Sequence, residues 1–510
     1  MSLKKNILAN YLSQIYVSLV GIVMVPVYVK YMGAEAYGLI GFYAMLQAWF
    51  QLLDVGLTPT MARESAKFQG GGSDASQLRQ LLRALEGLFT AVALAGATLM
   101  IFAARPIATS WLKVEHLPLD EVICAIEIMG VTVALRWICG LYRGAITGFE
   151  QLVWLGGFNA VVATARFILV VPLFIFVGAT PAHFFIFQLC VALAEAVTLF
   201  LKTYRLLPKI EIGVETLGFW NWSPLRRTLK FSLSIAFTGS IWVLVTQTDK
   251  LLLSKLLPLA QYAYFTLAVL MASGVLIVSG PVSTALLPRL TRMNYAGDDP
   301  GLLRLYRTGT QLVAAVAFPA SLMLAAFAKE IIFAWTGDEA IANGAAPILR
   351  LYALGNGILS VSAFPYYLQY AKGNLRLHLI GSFLFVLVLI PSLIWATRTY
   401  GVVGAGFAWL FANTVYFICW IPFVHVRFFK NMHVRWLMRD VLCSFFLAGG
   451  AVLICRWICD EFLTWPDSRA AVALLICIFG SLVLLVSSAA VDGSGQIYRK
   501  LLIFRLANTR

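Results

Sequence analysis

Charge is scarce in this chain. Only 12% of its 510 residues are Asp, Glu, Lys or Arg, against 60% hydrophobic residues and a mean hydropathy of +0.83. Soluble domains carry about a quarter charged residues and about half apolar ones, so a soluble globular protein is excluded. Alternating short segments of the kind that build membrane β-barrels are missing too. There is no Gly-x-x-x-x-Gly-Lys-Ser/Thr loop for ATP, no Gly-x-Ser-x-Gly elbow and no His-Glu-x-x-His pair. The breaks on the expected external side are short and leave little room for a catalytic domain, so an enzyme is not expected. Cysteine is also sparse, at 8 residues, mostly single and inside apolar runs. Cys455 and Cys459 lie one turn apart on one helix, which forbids a disulfide, and no His or second pair completes a metal set. Neither a metal nor another cofactor is expected.

What is present is a succession of apolar runs, each long enough to cross about 30 Å of hydrocarbon as a helix. They read as about fourteen spans, near 7–29, 36–57, 80–104, 121–148, 152–178, 182–203, 230–254, 261–287, 306–328, 346–370, 376–397, 402–425, 438–459 and 469–491. The first run follows a basic start but is too long for a signal peptide and lacks a small-x-small cleavage site, so it reads as a retained helix. The fold class is therefore an all-α polytopic membrane protein. The net charge of +15 could suggest nucleic acid. With the N-terminus cytoplasmic, however, most Lys and Arg fall in cytoplasmic breaks beside helix ends, as in "HVRFFKNMHVRWLMRD", where they meet anionic lipid headgroups. Membrane lipids are the expected partner of these groups, nucleic acid is not, and both termini are expected on the cytoplasmic side of a plasma membrane.

Displacing the chain so that Lys5 falls on Lys230 also aligns Lys30 with Lys255, Tyr37 with Tyr262 and Glu64 with Arg289. An even number of spans separates the two copies, so they keep one orientation, as parallel transporter repeats do. This predicts a six-helix lobe over 1–205, a cytoplasmic linker over 206–229, a second six-helix lobe over 230–430, and two additional helices with a tail over 431–510. In the linker, Pro208, Gly213 and Pro224 argue against one continuous helix.

Polar residues inside spans are costly toward lipid and normally face protein or a wet cavity. Tyr43, Gln47, Gln51 and Asp54 form one helical stripe, and Asn6, Asn10, Gln14 and Ser18 another. Arg136 and Arg143 recur seven residues apart, as do Asn159 and Arg166. These four neighbouring helices are expected to turn polar faces toward a hydrated cavity; the alternative is that amides and serines only join helices. Asp54 lies near a span end, where it either serves the cavity or caps that end or pairs with Arg63 or Lys67. Arg136 and Arg166 fall near mid-span and require an anion, either a carboxylate such as Glu127, Glu195 or Asp249, or a phosphate or acidic sugar on a substrate. Asp249 and Lys250 point about 100° apart and serve either a structural ion pair or a coupling and gating role.

The stretches "NILANYLSQIYVSLVGIVMVPVYVKYMGAEAYGLIGFYAMLQAWFQLLDVGLTPTMARE" and "TDKLLLSKLLPLAQYAYFTLAVLMASGVLIVSGPVSTALLPRL" resemble the polysaccharide exporters of the Wzx or O-antigen flippase type. These belong to the multidrug/oligosaccharidyl-lipid/polysaccharide (MOP) exporter superfamily, with the lipid II flippases and the multidrug and toxin extruders. The resemblance covers roughly residues 1–430; about twelve spans are usual there, so the last two depart from the pattern. It implies two lobes around a central cavity, alternating access, and an undecaprenyl-diphosphate-linked oligosaccharide as cargo during cell-surface polysaccharide synthesis at a bacterial inner membrane. It further implies a monomer, contact with polysaccharide polymerase machinery, and cationic cavity residues that attract the cargo. That role passes to Arg136, Arg143, Arg166 and Lys250, with Asn159, Gln14, Gln47 and Gln51 beside them and Asp54, Asp249 and Glu127 as coupling or gating residues. The competing readings are an ion-coupled multidrug antiporter, which should present carboxylates to its cavity, and a membrane glycan polymerase or ligase, which needs reactive groups in a large external loop.

Overall fold

A computed structural model describes residues 3–71, 74–207, 240, 243–277, 279–462, 465 and 468–491. These are almost entirely helical; the only non-helical pairing among them is an isolated bridge between Lys113 and Pro258. Among the described residues, eleven stretches are long and apolar enough to cross a membrane. One of them, Leu12–Asp54, holds most of each of the first two expected spans. Most of the expected linker, the start of the 230–254 span and the C-terminal tail lie outside the described residues, as do the side chains of Asn6 and Asn10. The chain divides into two units, Met1–Ala263 and Tyr264–Arg510.

In the first unit, α1 (Leu3–Phe50) is interrupted at Gly33, where φ is 84° and ψ 166°. Only glycine enters that region freely. The chain doubles back there: Tyr28 packs edge-on to Phe184 at 5.6 Å, and Tyr43 packs edge-on to the adjacent Phe185 at 5.4 Å. A short 3₁₀ turn, Gln51–Asp54, leads into a left-handed Val55-Gly56 pair and then α2 (Leu57–Gln69). The Asp54 carboxylate accepts from Thr58 N at 3.1 Å and from Thr58 Oγ1 at 2.6 Å, tying down the start of α2. Then come α3 (Ala75–Pro106), α4 (Leu119–Gly148), α5 (Leu152–Ala163), α6 (Val170–Phe176), α7 (Pro181–Leu206), α8 (243–256) and α9 (Leu259–Ile277), within which the unit boundary falls.

The centre of this unit is α4, packed against α2, α3 and α7. It comes close to α2 because Gly144 and Gly148 carry no side chain: a Cβ on Gly144 would sit 2.6 Å from the Thr58 carbonyl, and one on Gly148 would strike the Ala62 carbonyl. Between α5 and α6 the helix widens into a π-turn, Thr164–Ile168, closed by Leu169 N donating to the Thr164 carbonyl at 3.1 Å. The segment between α3 and α4 is tied back to α1 by Glu35, whose carboxylate accepts from the backbone N–H groups of Glu115, His116 and Leu117.

The second unit continues with α10 (Ser279–Tyr295), α11 (Asp299–Ala326), α12 (Ala328–Thr336), α13 (Glu339–Ser362), α14 (Phe364–Ala371), α15 (Arg376–Tyr400), α16 (Val402–Val415), α17 (Ile421–Phe428), α18 (His433–Arg435), α19 (Cys443–Phe462) and α20 (Arg469–Val491). Helices α13 and α14 cover the expected span 346–370. Side-chain caps start two of these helices: Asp298 accepts from Gly301 N, and Asp338 from Ala340 N and Ile341 N. The core gathers on α11, against which α13, α19 and α20 pack, and includes Tyr306, Phe318, Phe327, Phe364 and Trp436. Helices α19 and α20, beyond residue 430, are thus part of this unit's core.

Candidate binding cavity

Polar residues of the second, fourth and fifth expected spans come together within the first unit. A cavity of about 700 Å³ is lined by Gln47, Gln51 and Asp54 from α1 and its 3₁₀ turn, by Arg136 and Arg143 from α4, by Arg166 from the π-turn, and by Glu195 from α7. Apolar wall comes from Phe50, Val133 and Trp137, the last stacked on Phe89 at 4.3 Å. The seven-residue step from Arg136 to Arg143 puts both guanidinium groups on one face of α4, as helical geometry requires.

Helices α4 and α7 run side by side, and their polar residues meet as two rungs. On one rung Arg136 Nη2 reaches Gln188 Oε1 at 3.5 Å; on the other Arg143 Nη2 donates to Glu195 Oε1 at 2.5 Å. Gln188 also donates Nε2 to the carbonyl of Arg166 at 2.9 Å, so one buried amide touches both the α4 rung and the π-turn. The guanidinium of Arg166 lies 5.1 Å over the Phe167 ring. Three atoms of the cluster are buried without a hydrogen-bond partner: Arg136 Nε, Arg166 Nε and Glu195 Oε2. Among the described residues, the one ion pair in the cluster is Arg143–Glu195. Three guanidinium groups therefore face two carboxylates, Asp54 and Glu195, and the lining is net positive.

Of the residues singled out from sequence, Gln47, Gln51, Asp54, Arg136, Arg143 and Arg166 line this cavity. Gln47 is oriented by donating Nε2 to the Tyr43 hydroxyl at 2.9 Å. Asp54 holds Thr58, while Lys67 pairs with Glu64 at 3.8 Å. Asn159, Gln14, Lys250, Asp249 and Glu127 are not among the lining residues. The shared face expected for Asn159 and Arg166 assumes an unbroken α-helix, whereas Arg166 lies inside the π-turn Thr164–Ile168. Gln14 is exposed on α1, and Glu127 is half-buried on α4. Lys250 donates Nζ to the Thr246 carbonyl at 2.6 Å, and the buried Asp249 accepts from Lys250 N at 2.7 Å. The sequence offers Glu195 only as a partner for Arg136 or Arg166 and does not single out Gln188; their own seven-residue spacing on α7, matching that of Arg136 and Arg143, is the signal that points to them.

Comparison with known proteins adds the context. A family model described as "Polysaccharide biosynthesis protein" matches residues 3–294. Among solved structures, the lipid II flippase MurJ in an inward closed conformation is similar with a TM-score of 0.70 at 14% identity, over 97% of this chain and 99% of that one. An inward-facing multidrug resistance MATE family transporter of the MOP superfamily gives 0.66 at 15% identity, over 81% of this chain and 94% of that one. A Vibrio cholerae MATE transporter gives 0.56 at 15% identity, over 83% and 97%. No curated protein sequence matches significantly. Identities this low carry the fold alone, whereas the family match spans more than half of the chain and every residue that lines the cavity. The chain is thus a multi-pass membrane protein with the fold of the MurJ and MATE transporters, and it belongs to the polysaccharide biosynthesis protein family.

Proposed function

We propose that this protein is a flippase that moves a lipid-linked oligosaccharide, joined to its lipid through an undecaprenyl diphosphate, from the cytoplasmic to the outer leaflet of a bacterial plasma membrane. The observation that carries this reading is the cavity on which Arg136, Arg143 and Arg166 converge. A guanidinium presents paired N–H donors that match phosphate oxygens two at a time, and in a site shielded from bulk water such pairs gain strength. Arg136 and Arg166 keep donors that no protein group uses. Gln47 and Gln51 offer amides suited to sugar hydroxyls on the same wall. The match to a polysaccharide biosynthesis family supports a glycan as the cargo's other part.

In this reading the lobes 1–205 and 230–430 alternate in access about the linker 206–229. Lys250, Asn159 and Gln14 meet the cargo elsewhere on its path, and Asp54, Asp249 and Glu127 take part in gating or coupling. An antiporter for organic cations is the second reading, and the excess of arginine over carboxylate on the lining opposes it.

The test is export in a complementation assay. Arg166→Ala should abolish glycan export while membrane abundance stays normal, and Arg166→Lys should keep part of it, because the charge survives and the bidentate fork does not. Normal export by both Arg136→Ala and Arg166→Ala at normal abundance would sink the proposal.

A further inference from the structure

The two rungs between α4 and α7 share one geometry and differ in one respect. Arg136 and Arg143 are seven residues apart, Gln188 and Glu195 are seven apart, and each arginine reaches across to its counterpart. One counterpart is a neutral amide and the other a carboxylate. The amide, Gln188, is only 2% exposed and is occupied on both of its ends. The carboxylate, Glu195, is 4% exposed and uses a single oxygen, leaving Oε2 without a partner. Its arginine is the more accessible member of the pair, with 34% of the Arg143 side chain exposed. A buried carboxylate is costly to keep, and placing one on the wall of a site otherwise suited to anions weakens that site for any anion that enters.

We propose that Glu195 is the resident counter-anion of the cavity: it holds Arg143 while no cargo is bound, yields it to a cargo phosphate, and reclaims it as the cargo leaves. This rests on the reading of the cavity as an anion site. Arg143 needs only a side-chain rotation to change partners, and no covalent bond is made or broken. Without Glu195 the three guanidinium groups would face Asp54 alone, which is engaged by Thr58, and would hold a diphosphate tightly and release it slowly. With Glu195 in place, the protein supplies its own competitor at the point of release. The Arg136–Gln188 rung carries no carboxylate, does not compete and keeps its hold on the cargo until Arg143 has been recovered.

The experiment uses the full chain in lipid nanodiscs, with undecaprenyl diphosphate as the probe at fixed ionic strength, alongside the export assay. Glu195→Gln keeps the shape of the side chain and removes its charge. It should bind the probe about tenfold more tightly, the effect of removing one repulsive charge at close range. Export should fall at unchanged abundance, because release is slowed. In an Arg143→Gln background the tightening should shrink to less than about twofold, since the competition runs through Arg143. Gln188→Glu tests the converse and serves if Glu195→Gln fails to accumulate: a second counter-anion should weaken probe binding by about tenfold. Equal or weaker binding by Glu195→Gln, tightening that persists without Arg143, or Gln188→Glu binding as well as the parent protein would each overturn the proposal. If the parent protein itself binds no diphosphate, the anion-site reading falls with it; if it binds and the variants do not shift, only the role of Glu195 falls.

Discussion

Asp440 shows how much can rest on one carboxylate. It is 0% exposed, and it accepts from Arg307 Nε at 2.6 Å, Arg307 Nη2 at 2.9 Å and Gln311 Nε2 at 2.7 Å, joining the segment before α19 to α11. Removing Arg307 strands a buried negative charge, so Arg307→Leu should cost about 3–5 kcal/mol. Thermal unfolding of the purified protein in detergent measures this loss. The double variant Arg307→Leu/Asp440→Leu should recover part of it, and a double loss equal to the sum of the single losses would show the two groups to be uncoupled. Sequence did not bring this pair together, and the reason is general. Periodicity tells which face of its own helix a side chain occupies, and it placed Gln47, Gln51, Arg136, Arg143 and Arg166 on inward faces. It carries no information on which other helix that face meets, so Glu195 is one of several partners offered to Arg136 or Arg166, its pairing with Arg143 is not foreseen, and Arg307–Asp440 stays invisible.

Helices were legible wherever an apolar run ended in a polar break, and the break at "KYMGAEAY" marked the place where α1 doubles back. What the runs concealed was a change of pitch within them. The turn Thr164–Ile168 is π-helical, and each such turn holds one residue more than the α-helical ladder would. Counting by 3.6 residues therefore carried Asn159 along with Arg166 across a point where the phase changes. The same turn carries Arg166, which lines the cavity. Deleting Ala165 should restore α-helical pitch and keep the flanking segments near their present phase, so that the residues inside the turn, Arg166 among them, change direction. Arg166 and the face of α5 can then no longer both keep their places. Glycan export should be lost while the protein still reaches the membrane, as immunoblotting of membrane fractions would show; export that survives the deletion would mean that the π-turn does not aim Arg166.

For the chain as a whole, the distribution of Lys and Arg predicts that both termini and the segment around Ile212 face the cytoplasm. Single cysteines introduced at these places would test it with a membrane-impermeant thiol reagent, in a background without native cysteines, because Cys190, Cys419, Cys443 and Cys477 are exposed on the protein surface. Labelling of the Ile212 position in intact cells would reverse the assignment of every loop. That sidedness depends on a feature of α1. Drawn straight, its 48 residues would be about 70 Å long, more than twice the hydrocarbon thickness. The reversal at Gly33 makes two crossings of one, and a Cβ there would meet nothing within 4 Å, so the demand for glycine is made by the backbone alone. Crossings alternate in direction, which makes the side of each later loop a matter of odd or even. One residue without a side chain thus holds the parity of everything that follows it: were residue 33 to pass straight through, each arginine downstream would be offered to the opposite face of the membrane.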